Sequence, residues 1–273
     1  MILAAVVVYG RWLVVARRRG HRWPAARVLS FAASVALFAV LQFGIVGVYD
    51  RELRWAFVLR LALLFFAVPT FAALGAPVAL LRLGGGTRAA ASADRLMHSR
   101  PVRVLGNAIV SPIVALALFA ILLTPMAASI RESAVWALAI TVLVPVLGFA
   151  LILPLTEPDV IRSSTFVTAE FMLAFVELML DAIPGIVLRI TNSVLDHATE
   201  MASGPAWFPT PLRDQHLAGD LLWFIAEIAD IPVLITLFIR WQRSDRREAR
   251  AVDALTDEEM DALTQEHLDR FRQ

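Results

Sequence analysis

Seven apolar runs, several of them about 20 residues long, dominate this sequence and restrict it to one kind of fold. They lie near Met1–Val15, Val28–Val48, Trp55–Leu81, Val104–Ala127, Ala134–Leu155, Phe166–Ile190 and Leu217–Ile239. In hydrocarbon a backbone must satisfy its own N–H and C=O groups, which leaves helices or closed barrels. These runs are continuous rather than alternating, and that excludes barrel strands. The sequence therefore predicts an all-α, polytopic membrane helix bundle of about seven transmembrane helices. Composition agrees: 59% of the 273 residues are hydrophobic and 18% charged, against roughly 45–50% and 25% in soluble domains.

The distribution of arginine sets an expected orientation. Cytoplasmic loops carry the positive excess. With the N-terminus outside, the inner connectors hold Arg17, Arg18, Arg19, Arg22 and Arg27, then Arg82, Arg88, Arg95, Arg100 and Arg103, then Arg162, and the tail adds Arg240, Arg243, Arg246, Arg247 and Arg250. The outer side holds Arg51, Arg54, Arg131, Arg189 and Arg213. The first run is short and its charges follow it, the reverse of a signal peptide. It is read as a span with its N-terminus outside. The expected division is a transmembrane helical domain over 1–240 and a cytoplasmic charged tail over 241–273. The Gly-, Ala- and Arg-rich stretch Leu83–Arg103 reads as a connector, and Asn192–Asp214 as a polar outer loop. In the tail, Thr256 and Glu259 form a capping-box pattern for a solvated helix over Asp257–Phe271.

Several chemistries are excluded at once. There is no cysteine, so no disulfide, thiolate ligand or cysteine nucleophile exists. Gly84–Gly86 lacks the Gly-Lys-Ser of a phosphate loop. The Arg-rich stretches have no interleaved aromatics and sit beside spans, which fits anionic lipid headgroups better than nucleic acid. No nucleophile–base spacing stands out, so the expectation is not an enzyme.

The polar residues inside the runs are the remaining candidates. Arg60 lies in the outer part of a span, where it requires a partner, a wet cavity or snorkelling to the interface. Glu170, Glu177 and Asp181 share one face of the sixth run, and His216, Asp220 and Glu227 one side of the seventh, with Asp230 further round. Glu177, Asp181, Asp220 and Glu227 form a polar membrane face that reads either as a proton path or cation site or as hydrogen-bonded glue between helices. At the outer mouth His197, Asp214 and His216, with Glu200 and Met201 nearby, are candidate metal ligands, since imidazole suits copper or zinc and thioether suits Cu(I). The alternative is an ordinary polar loop. His21, His98 and His267 read as solvated.

Five segments in order resemble the CtaG family of cytochrome c oxidase assembly factors. They are "YGRWLVVARRRGHRWPAARVLSF", "VPTFAALGAPVALL" with Pro69 and Gly75-Ala76-Pro77, "ELMLDAIPGIVL" with Asp181, Pro184 and Gly185, "DQHLAGDLLWFIAEI" with Asp214, Gln215, Gly219 and Trp223, and the tail "RWQRSDRREARAVD". The resemblance implies a bacterial cell-membrane protein acting in oxidase maturation, linked to copper insertion, with an oxidase subunit or a copper donor protein as partner. Many members carry a His-Met-x-x-His-Met motif whose two histidines become Phe57 and Leu61 here, and "ESAVWALAITVLVPVLGF" holds none of the expected second set. Phe and Leu cannot ligate copper. Copper is therefore implied by resemblance alone. The chain reads as a divergent member, with two other readings beside it: a scaffold that binds no metal, and a proton- or copper-coupled transporter.

Overall fold

The computed structural model describes residues 2–97, 99–105, 107, 109–156, 164–195, 207–208 and 210–253. Among these residues the chain is helical and holds no strand. The N-terminal part comprises α1 (Ile2–Arg18), α2 (Ala25–Phe43) and the single turn α3 (Ile45–Tyr49), separated from α2 only by Gly44. Next come α4 (Arg54–Phe65), α5 (Ala67–Leu74) and α6 (Pro77–Gly84), then α7 (Gly86–Met97) and α8 (Arg100–Leu105). The remainder is α9 (Val110–Ala120) with a 3-10 turn at Ile121–Leu123, α10 (Met126–Glu132), α11 (Ala134–Thr156), α12 (Ser164–Ile190) and α13 (Pro211–Asp253).

The breaks have local causes. Pro69 has no N–H and its ring displaces the carbonyl four residues back, which is Phe65, where α4 ends. Pro77 disfavours the right-handed helical region for the residue before it. Ala76 accordingly sits at φ 49°, ψ 52°, and Pro77 opens α6. At Pro125 the chain turns 88° between Val110–Leu123 and α10. Thr210 Oγ1 accepts a hydrogen bond from Arg213 N, so Thr210 caps α13 and Pro211 takes its first position.

Among the described residues three helical stretches are long and apolar enough to cross a membrane: Ala25–Tyr49, Arg54–Gly84 and Ala134–Leu153. A fourth is present if Val110–Leu123 and Met126–Glu132 act as one bent span. The remaining runs are shorter or carry charges. α1 has 17 residues, about 26 Å of rise against a hydrocarbon core of about 30 Å. α12 carries Glu177, Asp181 and Arg189, and α13 carries Asp220, Glu227 and Asp230. The connector read at Leu83–Arg103 contains a 12-residue helix, α7. The charged segment after residue 240 continues α13 without a break as far as Asp253. Thr256, Glu259 and the helix expected at Asp257–Phe271 lie outside the described residues.

The core is built around α4, which packs against α13, α11, α3 and α5. Phe57, Val58, Leu61, Leu64 and Phe65 of α4 are buried together with Phe119 of α9, Leu188 of α12 and Leu222 of α13. Phe65 and Phe119 meet edge to face at 5.5 Å. Gly148 of α11 rests against the Phe65 carbonyl, the one displaced by Pro69, so closely that an added Cβ would clash with that oxygen. α12 and α13 share the most extensive interface in the bundle. They cross where Gly185 meets Gly219: a Cβ on either would approach the other's carbonyl oxygen within 2.9 Å or less. Such small-residue contacts let membrane helices approach closely. At the end of the bundle where α1 finishes, Tyr9, Ala16, Trp23 and Leu80 form a second cluster. Tyr9 donates to the Gly75 carbonyl at 2.9 Å and accepts from Trp23 Nε1 at 3.2 Å. Large apolar side chains such as Leu29, Phe43, Leu138, Phe224 and Ile228 face outward, as a lipid-facing surface requires.

Candidate functional site

Three groups of polar side chains lie in or beside the apolar bundle. The first gathers at the end where α4 and α13 begin. Leu53, which precedes α4, has an extended backbone and offers no side-chain cap. Asp214 of α13 supplies one from a distant part of the chain: its two carboxylate oxygens accept from Arg54 N at 2.7 Å and Trp55 N at 2.8 Å. A carboxylate there satisfies two of the free amides at the helix start and complements its dipole. The neighbouring Gln215, fully buried, accepts from the Arg54 guanidinium and from Leu195 N, and donates to the Ser193 carbonyl at 3.0 Å. "Asp-Gln" is thus a clamp that ties the start of α13 to the start of α4 and the end of α12.

The clamp bears on the metal-ligand candidates. Both Asp214 oxygens face backbone amides. His216 Nε2 lies 3.2 Å from the Thr191 carbonyl oxygen, which it reaches as a donor. His197, Glu200 and Met201 lie outside the described residues. Among the described residues no group of three or more His, Asp or Glu side chains is arranged to hold a metal ion. Phe57 and Leu61 are buried in the apolar core.

The second group surrounds Arg60. This guanidinium is buried near the middle of α4, where it pairs with Asp50. It also donates to Gln42 Oε1 at 2.8 Å and to Thr141 Oγ1 at 2.7 Å. The charge expected to need a partner thus has three, drawn from α2, α11 and the turn before α4. A cavity of about 460 Å³ opens beside them, lined by Gln42, Asp50, Arg51, Arg60 and Thr141. Sequence reasoning singled out Arg60 and missed Asp50, Gln42 and Thr141. Each is unremarkable alone, and only helix packing brings them together.

The third group is the acidic face. Its four members do not converge. Asp220 pairs with Arg189 at 2.9 Å in a half-exposed position. Glu227 accepts from Trp223 Nε1 at 3.0 Å on the surface of the same helix. Glu177 and Asp181 instead turn into the bundle, and Asp230 joins them from α13. Glu177 Oε1 accepts from Ser111 Oγ of α9 at 3.0 Å. Asp181 is 1% exposed. One oxygen each of Asp181 and Asp230 is buried with no hydrogen-bond partner. Side-chain placement of Glu170 is not described.

Comparison with known proteins gives one family. The profile of the cytochrome c oxidase caa3 assembly factor family matches residues 7–244, most of the chain. Curated relatives include an uncharacterised protein of Mycobacterium bovis and one of Mycobacterium tuberculosis. Each is 25% identical over 264 aligned residues, covering 91% of this chain and 39% of the relative. The chain thus spans about two fifths of the length of the curated relatives it matches. No solved structure matches it.

Proposed function

We propose, since this chain belongs to the cytochrome c oxidase caa3 assembly factor family, that it acts in a bacterial cell membrane in the maturation of a respiratory cytochrome c oxidase. The observation that carries the proposal is the family match over residues 7–244. It works by contact, engaging an oxidase subunit or a copper donor protein at its outer face. In this reading the chain crosses the membrane seven times, N-terminus outside and C-terminus inside. The clamp at Asp214 and the Arg60 cavity then lie at the outer end, and the Arg-rich end near α1 and α7 is cytoplasmic. Deleting the gene is expected to lower both oxidase activity and oxidase copper content in isolated membranes. Unchanged values would remove the proposal.

Within this reading, a form that holds no copper of its own has specific support. Phe57 and Leu61 are packed in the core, and Asp214 and His216 are engaged with backbone groups. The purified protein is then expected to carry no stoichiometric copper after exposure to Cu(I). Stoichiometric copper that disappears on changing His197 and His216 would reverse this and restore a copper-carrying role.

A further inference from the structure

Glu177 stands at the midpoint of the 27-residue α12, as deep in a bilayer as that helix can place a side chain. Asp181 is one turn further along, on the face that also carries Gly185 and Leu188, and that face packs on α13. On α13, Gly219, Leu222, Ala226 and Asp230 follow one another along the opposing face. The three carboxyls lie within electrostatic reach of one another.

The chemistry of this group is one-sided. Among the described residues the elements packed most closely against α12 are α13, α9 and the 3-10 turn, and α13 packs also on α4, whose Arg54 and Arg60 bond to Gln215 and Asp50. α9 and the turn carry no ionisable residue. On α13, Glu227 is bonded to Trp223 and adds its negative charge near Asp230, and Asp220 is paired with Arg189 towards the helix start. Among the described residues, therefore, no cation faces Glu177, Asp181 or Asp230. Among the described residues the one donor to them is Ser111 Oγ. Pro184 and Pro232 sit inside their helices three residues after Asp181 and two after Asp230. Each leaves the carbonyl four residues back, that of Leu180 or Ile228, without its helical donor. The site is thus rich in acceptors, and one buried oxygen of Asp181 and one of Asp230 have nothing to accept from. Three like charges in hydrocarbon, unpaired, carry a large desolvation and repulsion cost. A bound cation relieves all of these at once. A metal ion needs several of the acids disposed around one point, an arrangement the described residues lack. A proton needs only one carboxyl oxygen and a neighbouring acceptor.

We propose that Glu177, Asp181 and Asp230 form a proton-binding site inside the membrane, with protons taken from water held on and shared between their carboxyl oxygens. Each protonation converts one acceptor into an O–H donor, which then serves the orphaned oxygen of its neighbour or a proline-freed carbonyl. The site is independent of any role in oxidase assembly.

Infrared spectroscopy of the full chain in lipid vesicles, with the metal content of the same samples measured, tests it. The expected result is a C=O stretching band of protonated carboxyl at neutral pH that shifts on transfer to D2O. Triple substitution Glu177→Gln, Asp181→Asn and Asp230→Asn removes the part of the band due to these groups. The amides mimic protonated acids in shape, so the variant is expected to fold. If it does not, Asp181→Asn alone must lower the band by one group's share. No protonated-carboxyl band in the wild type, or a band unchanged by these substitutions, would overturn the proposal. So would stoichiometric metal that the wild type holds and the variants lose, which would make this a metal site.

Discussion

Arg60 and Asp50 show what a buried charge demands of its surroundings. Removing one partner of such a pair strands the other, at a cost of about 3–5 kcal/mol, whereas replacing both by apolar groups of similar volume is often neutral. Asp50→Ala is therefore expected to destabilise the protein strongly, and Asp50→Leu with Arg60→Met to recover most of the loss. Unfolding followed by circular dichroism in detergent measures both. Asp214→Ala removes the cap of α4 and is expected to cost about 1–2 kcal/mol, with Asp214→Asn losing less because its amide oxygen still accepts. Ala76 holds a left-handed backbone at φ 49°, a conformation costing a non-glycine residue roughly 1–2 kcal/mol. Ala76→Gly should thus raise thermal stability, and a Val there should lower it. At this scale the sequence was informative about which residues are costly and silent about how they are satisfied. Arg60, Glu177 and Asp181 stood out because an apolar run makes any charge conspicuous. Asp50, Gln42, Thr141 and Ser111 did not, because a partner is defined by a neighbouring helix. The 100° helical wheel rightly set Asp230 apart from Asp220 and Glu227, on the side of Leu222 and Ala226, but which acids of α12 it meets is decided by helix packing.

The helices meet through close approaches that tolerate little added bulk. Gly219→Val places branched carbons where the Gly185 carbonyl and Leu188 now lie and is expected to part α12 from α13. The chain has no cysteine, so an introduced pair gives a clean readout. A disulfide between cysteines placed on facing positions of α12 and α13 should form readily in the wild-type background and poorly with Gly219→Val. The run Trp55–Leu81 reads as one span, although Pro69 and Pro77 divide it into three helices. α7 was not legible either: Leu83–Arg103 reads as a connector, although "TRAAASADRLM" is rich in good helix formers. The uninterrupted passage of α13 beyond residue 240 was missed for a related reason. A change from apolar to charged composition marks a change of solvent, and a helix can pass through it unbroken.

For the molecule as a whole, the apolar runs sufficed to identify a helical membrane protein, because no other backbone arrangement survives so much hydrocarbon-compatible sequence. Phe57 and Leu61 lie in the core, as apolar residues of a packed helix do. Sidedness is open to direct measurement. Glu52 and Ser92 are exposed at opposite ends of the bundle, so in intact cells a membrane-impermeant maleimide is expected to label Glu52→Cys and spare Ser92→Cys. The reverse pattern would invert the bundle.

α13 has a mechanical consequence. Its 43 residues make a rod about 65 Å long, roughly twice the thickness of the hydrocarbon it meets. Pro232, just beyond Asp230, divides it. From that point to Asp253 the helix extends about 32 Å, so a change of about 20° in the bend at the proline would swing its far tip by about 11 Å. A small event at the fulcrum, at the depth of a buried acid, becomes a displacement as wide as a helix at the other end of the arm.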